Sequence, residues 1–225
     1  MVVLADCLVD NAWVCGRYLS TRRDEILTAL RQHVVLTVFS VGVGFVVAAL
    51  LTLAVRRWRA VRTPVLALTS VLYTIPSLAL FAIIVPFTGL TVATVEIGLI
   101  LYSLVILVRN MLAGLDGVPE DVREVAYGMG YSPARVLLRV ELPLALPAVM
   151  SGLRVATVST IALATIGGVI DQGGLGNLIQ DAVNREFKAE VLTASVLVVA
   201  LAVVADLLLH GLERLLTPWR RAGAR

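Results

Sequence analysis

Few residues in this chain have the type and spacing for covalent or metal chemistry. The two histidines, His33 and His210, stand near opposite ends of the sequence, so no pair has metal-ligand spacing. Each reads most simply as a histidine at a membrane interface. Cys7 and Cys15 form no C-x-x-C, and their separation permits a disulfide in an oxidising compartment without specifying one. A phosphate-binding P-loop ends in Gly-Lys-Ser or Gly-Lys-Thr, because the lysine must reach the terminal phosphates. The single lysine, Lys188, follows Phe187. No catalytic residue, metal or cofactor is therefore assigned to the chain. Glu96, Arg154 and Asp206 are the charges that fall within long apolar stretches, where acids can build a proton or sodium relay. Two acids make a thin relay.

These residues belong to a chain made for a bilayer. Of 225 residues, 59% are hydrophobic and 16% charged, against roughly 45–50% and about 25% in soluble domains. Mean hydropathy is +0.91. Apolar stretches of about 20 residues, the length that crosses a bilayer, recur at 33–55, 64–87, 90–108, 153–170 and 191–209. The expectation is an all-α, multi-pass membrane protein with five spans. Residues 33–212 form its transmembrane domain, 1–32 precede it outside, and 213–225 are a basic tail.

Arginine sorts the loops by side. Arg56, Arg57, Arg59 and Arg62 fill the first short loop. Arg109, Arg123, Arg135 and Arg139 belong to the central one, and Arg214, Arg220, Arg221 and Arg225 to the tail, together twelve of nineteen basic residues. By the positive-inside rule these mark the cytoplasm, which puts the N-terminus outside and the C-terminus inside. The net charge of +3 then reflects topology and does not point to nucleic acid. Residues 1–32 show no basic stretch followed by a sustained apolar run, so the first span is expected to act as its own insertion signal. Residues 20–32 fit either an amphipathic helix on the outer surface or an ordinary solvated one. Ser40, Gly44 and Ala48 recur every fourth position, which lets another helix approach closely.

The loop of residues 116–143 is the most informative stretch. Pro119 suits a first helical turn, and Glu120 and Asp121 favour the positive end of the helix dipole. Val118, Val122, Val125, Ala126 and Met129 recur on one face. Gly130 can take the left-handed cap conformation, Ser132 can cap a second helix, and Pro133 can be its first residue. The reading is two short amphipathic helices joined by a sharp turn, with Leu142-Pro143 and Pro147 breaking the structure before the next span.

Glu124-Val125-Ala126, Gly130 and Val140-Glu141-Leu142-Pro143 resemble the E-A-A signature of ABC importer permeases. That signature runs E-A-A, three residues, Gly, nine residues, then an aliphatic residue, one residue and Leu-Pro. The spacing is complete, and only the middle alanine is replaced, by Val125. Within that superfamily, Tyr73-Thr-Ile-Pro-Ser-Leu-Ala-Leu80, Leu101-Tyr102, Arg109-Asn110 and Gly173-Gly-Leu-Gly176 resemble the glycine betaine/carnitine/choline/proline permeases. The chain departs from that pattern at Ile106, Glu96 and Asp171-Gln172.

The resemblance implies a type I ABC importer permease fold, like that of the methionine importer permease. It also implies a set of partners: two copies of an ATP-binding subunit that uses ATP and magnesium, a second permease chain in a homodimer or heterodimer, an extracytoplasmic substrate-binding protein, and membrane lipid. Glu124, Ala126 and Gly130, closed by Val140, Leu142 and Pro143, would couple to the ATPase. Tyr73, Pro76, Glu96, Tyr102, Gly173, Gly174 and Gly176 are candidates for the substrate path, since broken helices line such routes and aromatic faces hold quaternary ammonium groups. The substrate would be glycine betaine, choline, carnitine or proline. The alternative is a stand-alone secondary transporter or channel for a small cationic or zwitterionic solute, which requires buried paired acids.

Overall fold

A computed structural model describes residues 7–219. Every regular element among them is helical: α1 Gly16–Thr21, α2 Arg23–Arg57, α3 Arg62–Thr74, α4 Ser77–Thr88, α5 Val92–Asp116, α6 Glu120–Gly128, α7 Pro133–Val136, α8 Leu142–Ala164, α9 Leu175–Asn184 and α10 Lys188–Leu216. A π turn, Leu137–Glu141, joins α7 to α8, and a 3-10 turn, Thr165–Ile170, follows α8. Four stretches are long and apolar enough to cross a bilayer, and they number five when α3 and α4 count as one interrupted span.

The helices depart from the sequence reading in two places and follow it at a third. Residues 20–32 are not a separate surface helix, because α2 starts at Arg23 and runs unbroken into the apolar stretch. The segment 64–87 is interrupted, as expected of Pro76. It stops at Thr74 and restarts at Ser77, with Pro76 as the N-cap, since proline supplies no N–H and disfavours a helical residue before it. Pro143 and Pro147, expected as breakers, lie inside α8. Pro143 falls in its first turn, directly after the π turn, where a missing N–H costs least. Arg220, Arg221 and Arg225 of the basic tail lie outside the described residues.

The chain divides into two compact units. The first draws on Met1–Val41, Ile75–Ile100 and Val158–Val204. One of its cores joins Tyr18, Ile26, Ala29, Leu175, Leu178 and Ala194, and another joins Phe81, Val95, Leu99 and Ala164. A Cys7–Cys15 disulfide closes the segment before α1. Asn11 staples that segment to the turn before α10, donating to the Glu186 carbonyl at 2.8 Å and accepting from the Lys188 N–H at 2.9 Å.

The second unit draws on Gly42–Thr74, Leu101–Thr157 and Ala205–Arg225. Ala48, Val55, Leu107, Val108, Met111 and Ala156 form its core. Small residues bring its helices together: a side chain at Gly114 would meet the Ala145 carbonyl at 2.9 Å, and one at Gly44 would collide with Ser103. The stripe of Ser40, Gly44 and Ala48 is thus buried within the chain.

Candidate functional site

The central loop is held by local rules. Helix α6 begins after Pro119 with Glu120 and Asp121 in its first turn, beside the unpaired N–H groups that favour negative charge. It ends in a Schellman motif: Tyr131 N–H bonds Ala126 O at 3.1 Å and Gly130 N–H bonds Tyr127 O at 2.9 Å. Gly130 has φ +82°, which costs a residue with a Cβ roughly 1–2 kcal/mol. The Ser132 hydroxyl accepts from Arg135 N–H and Pro133 opens α7.

An ion cluster missed by sequence reasoning anchors this loop. Glu141 is 1% exposed. Its Oε1 accepts from Arg123 Nε and from Arg56 Nη2, both at 2.8 Å, while Arg56 Nη1 lies 2.6 Å from Oε2 as an electrostatic contact. Arg123 also donates to Glu120 at 3.0 Å and to the Leu115 carbonyl at 2.6 Å. Burial works against the Arg123 charge, but its hydrogen bonds to Glu120 and Glu141 hold its pKa above the ordinary arginine value. Through Glu141 and Arg123, the π turn after α7, α6 and the end of α2 share one buried carboxylate. A cavity of about 490 Å³ adjoins it, lined by Arg56, Arg59, Arg62, Arg123, Asp116 and Glu141 among others. Only pairwise side-chain contacts could have announced the cluster. The motif pattern leaves the position between Val140 and Leu142 free.

The apolar face read for α6 is divided between buried and exposed residues. Val118 and Ala126 are buried, whereas Val125 is 61% and Met129 64% exposed. Tyr127 and Leu138 are also exposed, and so is Glu124. The helix is short and its inner side is taken by Ala126 and the arginines, so the remaining apolar residues point outward. Exposed apolar side chains beside a charged rim suit a protein partner.

The path candidates fall into separate places. In the second unit, Tyr73 and Tyr102 meet edge to face with centroids 5.8 Å apart. One turn before Tyr73 on α3, the Ser70 hydroxyl accepts from Arg109 Nη2 at 2.8 Å. In the first unit, Pro76 caps α4 and Glu96 lies part-exposed on α5.

Gly173, Gly174 and Gly176 are buried. A Cβ on Gly176 would strike Thr165, and one on Gly173 would strike Gly168. These glycines permit backbone-to-backbone packing of residues 165–176. His33, read above as an interfacial histidine, is fully buried and clamps this turn: Nδ1 lies 3.0 Å from Gly173 O and Nε2 3.0 Å from Ile161 O. Asn177 Oδ1 accepts from Gly173 N–H at 2.6 Å.

Two of the charges within the spans, Arg154 and Asp206, are paired. Arg154 holds Asp206 with two parallel hydrogen bonds, Nε–Oδ1 2.8 Å and Nη2–Oδ2 2.9 Å, the bidentate geometry that guanidinium favours. Glu213 lies 3.6 Å from Arg154 Nη1, and His210 Nδ1 lies 3.2 Å from it. A carboxylate so held is a structural counter-ion and a poor proton carrier, which removes one of the two acids on which a stand-alone ion-coupled transporter would rest.

Residues 40–222 match the family described as "binding-protein-dependent transport system inner membrane component". The chain belongs to that family. Among similar proteins, the glycine betaine/carnitine/choline transport system permease protein OpuCD of Bacillus subtilis is 35% identical over 207 residues, covering 92% of this chain and 90% of that protein. The choline transport system permease protein OpuBB of the same organism is 32% identical over 202 residues, covering 90% and 93%. The osmoprotectant import permease protein OsmW of Salmonella typhimurium is 35% identical over 192 residues, covering 83% and 89%. This permease also shares the fold of the inward-facing MetNI methionine ABC transporter, with a TM-score of 0.72 at 21% identity over 91% of this chain and 100% of that one. The expected all-α, type I ABC importer permease fold is therefore the observed one, and the chain is an inner-membrane permease subunit of an ATP-driven importer. The whole E-A-A-like stretch, 124–143, lies inside the matched residues.

Proposed function

We propose that this permease carries a small osmoprotectant or quaternary amine, of the glycine betaine, choline, carnitine or proline type, across the membrane, driven by a separate ATPase. The observation that carries the coupling half of this reading is the central loop. Exposed Glu124, Val125, Tyr127 and Met129 crown a hairpin whose base is fixed by the buried Glu141 cluster. A partner that pushes on the crown moves a rigid hairpin, because Gly130 sets the turn and Arg56 and Arg123 pin its base. In this reading Glu124, Ala126, Gly130, Val140, Leu142 and Pro143 are the coupling residues. Two ATP-binding subunits, using ATP and magnesium, dock there.

The substrate reading rests on the relatives' names and on the aromatic pair Tyr73–Tyr102, whose ring faces suit a quaternary ammonium. Pro76 and residues 165–176, with Gly173, Gly174 and Gly176, supply the interrupted helices expected beside a path, and Glu96 faces a wet vestibule rather than substrate. An extracytoplasmic binding protein delivers the solute, and a second permease chain, identical or different, completes the path within the lipid.

The charge asymmetry supports an orientation with the central loop inside. The Cys7–Cys15 bond supports an N-terminal segment in an oxidising compartment. Domain limits of 1–32, 33–212 and 213–225 follow this orientation.

The test is co-purification with a P-loop ATPase and binding protein, followed by uptake of labelled glycine betaine into proteoliposomes. ATP-dependent uptake is expected. Uptake driven by an ion gradient without ATP would overturn the reading.

A further inference from the structure

Four arginines of the second unit are tied to acids: Arg56 and Arg123 to Glu141, Arg62 to Asp116, and Arg154 to Asp206. Arg109 is different. It gives one hydrogen bond, to the Ser70 hydroxyl, and among the described residues no carboxylate pairs with it. A guanidinium has five N–H donors, so Arg109 is oriented by Ser70 with donors to spare. It opens onto a cavity of about 460 Å³ that is also lined by Ser70, Tyr73, Thr74, Ile106 and Asn110. That volume lies within the range of about 300–1,000 Å³ found for small-molecule pockets.

The spacing in this cavity defines a ligand. Tyr73 follows Ser70 by three residues, about 4.5 Å along a helix. An anion bound by Arg109 beside Ser70 would therefore place a group roughly one turn away against the Tyr73 ring, which is braced edge-on by Tyr102. Aromatic faces attract cations and exclude bulk water from them. Ile106 and Val155 supply apolar wall for methyl groups. A carboxylate and an alkylated ammonium a few bonds apart satisfy both ends.

We propose that this cavity is a transit subsite for a compact zwitterion, with Arg109 and Asn110 taking the carboxylate and Tyr73 facing the cationic head. The proposal rests on the osmoprotectant reading above and deepens it. Ser70 competes for the guanidinium, which keeps the site weak enough to release its cargo. Ile106, one of the positions where the chain departs from its relatives' pattern, becomes part of the wall that selects by size.

The test uses the complete transporter in proteoliposomes, with uptake of labelled glycine betaine, which has a carboxylate, compared with choline, which has none. Arg109→Gln should lower betaine uptake about tenfold or more, the loss expected when a charge-assisted fork is removed. Choline uptake should change by about twofold or less, because exposed charges contribute little by themselves. Arg109→Lys should retain an intermediate betaine rate. Tyr73→Leu should lower both substrates, since both carry the trimethylammonium head.

Equal losses of betaine and choline in Arg109→Gln would assign the arginine to packing or to a lipid phosphate and overturn the subsite, as would no loss in either. If the wild type carries betaine alone, a graded loss from Lys to Gln supports the subsite and equal loss overturns it. A wild type that carries choline alone overturns it outright. A wild type that carries neither of these, nor labelled carnitine or proline, overturns the osmoprotectant reading itself, and does so before any variant is made.

Discussion

Replacing Glu141 by glutamine keeps the side-chain size and removes the charge that two arginines share. The carboxylate is 1% exposed, and three guanidinium N–H groups lie 2.6–2.8 Å from it. Removing one partner from a buried pair costs about 3–5 kcal/mol. The lower end applies here, because the Arg56 side chain is 32% exposed and can turn to water, and Arg123 keeps Glu120 and the Leu115 carbonyl. About 3 kcal/mol is roughly a hundredfold in the equilibrium between the pinned and released loop. In proteoliposomes, Glu141→Gln should therefore hydrolyse ATP with much less substrate moved per ATP. In detergent the purified complex should melt earlier. Glu141→Asp, which keeps the charge but shortens the reach, should fall between. Unchanged transport stoichiometry together with an unchanged melting temperature in Glu141→Gln would refute the claim that this carboxylate pins the loop.

Gly130→Val places a β-branched residue at φ +82° and should cost about 1–2 kcal/mol in the turn, abolishing substrate-stimulated ATPase while membrane insertion, read by fractionation, persists. Asp206→Asn should lower the melting temperature of the complex by leaving Arg154 within the span without its bidentate partner, whereas the double change Arg154→Leu with Asp206→Leu should melt closer to wild type; a double variant as unstable as the single would argue against an ion-pair origin. Cys7→Ser opens a loop eight residues long in sequence separation, for which loop closure predicts about 2–3 kcal/mol. Its melting temperature should drop to that of the reduced wild type, and reductant should have no further effect on it.

The parts of this protein that were legible in the sequence are those set by local rules. Gly130, Ser132 and Pro133 each impose a backbone conformation on themselves or their neighbours, so the hairpin could be drawn from residue types alone. Pro76 interrupted a span for the same reason. The prolines at 143 and 147 show the limit. The same residue type that breaks an isolated helix was absorbed in α8, one in its first turn after the π turn and one within a packed membrane helix. The exposure of Val125 and Met129 was not legible, because periodicity shows which residues share a side, not whether anything covers that side.

Composition by itself determined that this chain lives in a bilayer, and the order and spacing of its motifs pointed to its family and drew attention to the central loop. Both depend on residues close together in sequence, or on averages over the whole. Tertiary structure alone decided which charges neutralise one another and which have no acid beside them. Glu141 meets an arginine 85 residues away, Asp206 one 52 residues away, and His33 a carbonyl 140 residues away. Such meetings depend on helix register and rotation in three dimensions. No sequence window contains both partners, and an unpaired Arg109 becomes visible only after the other pairs have formed.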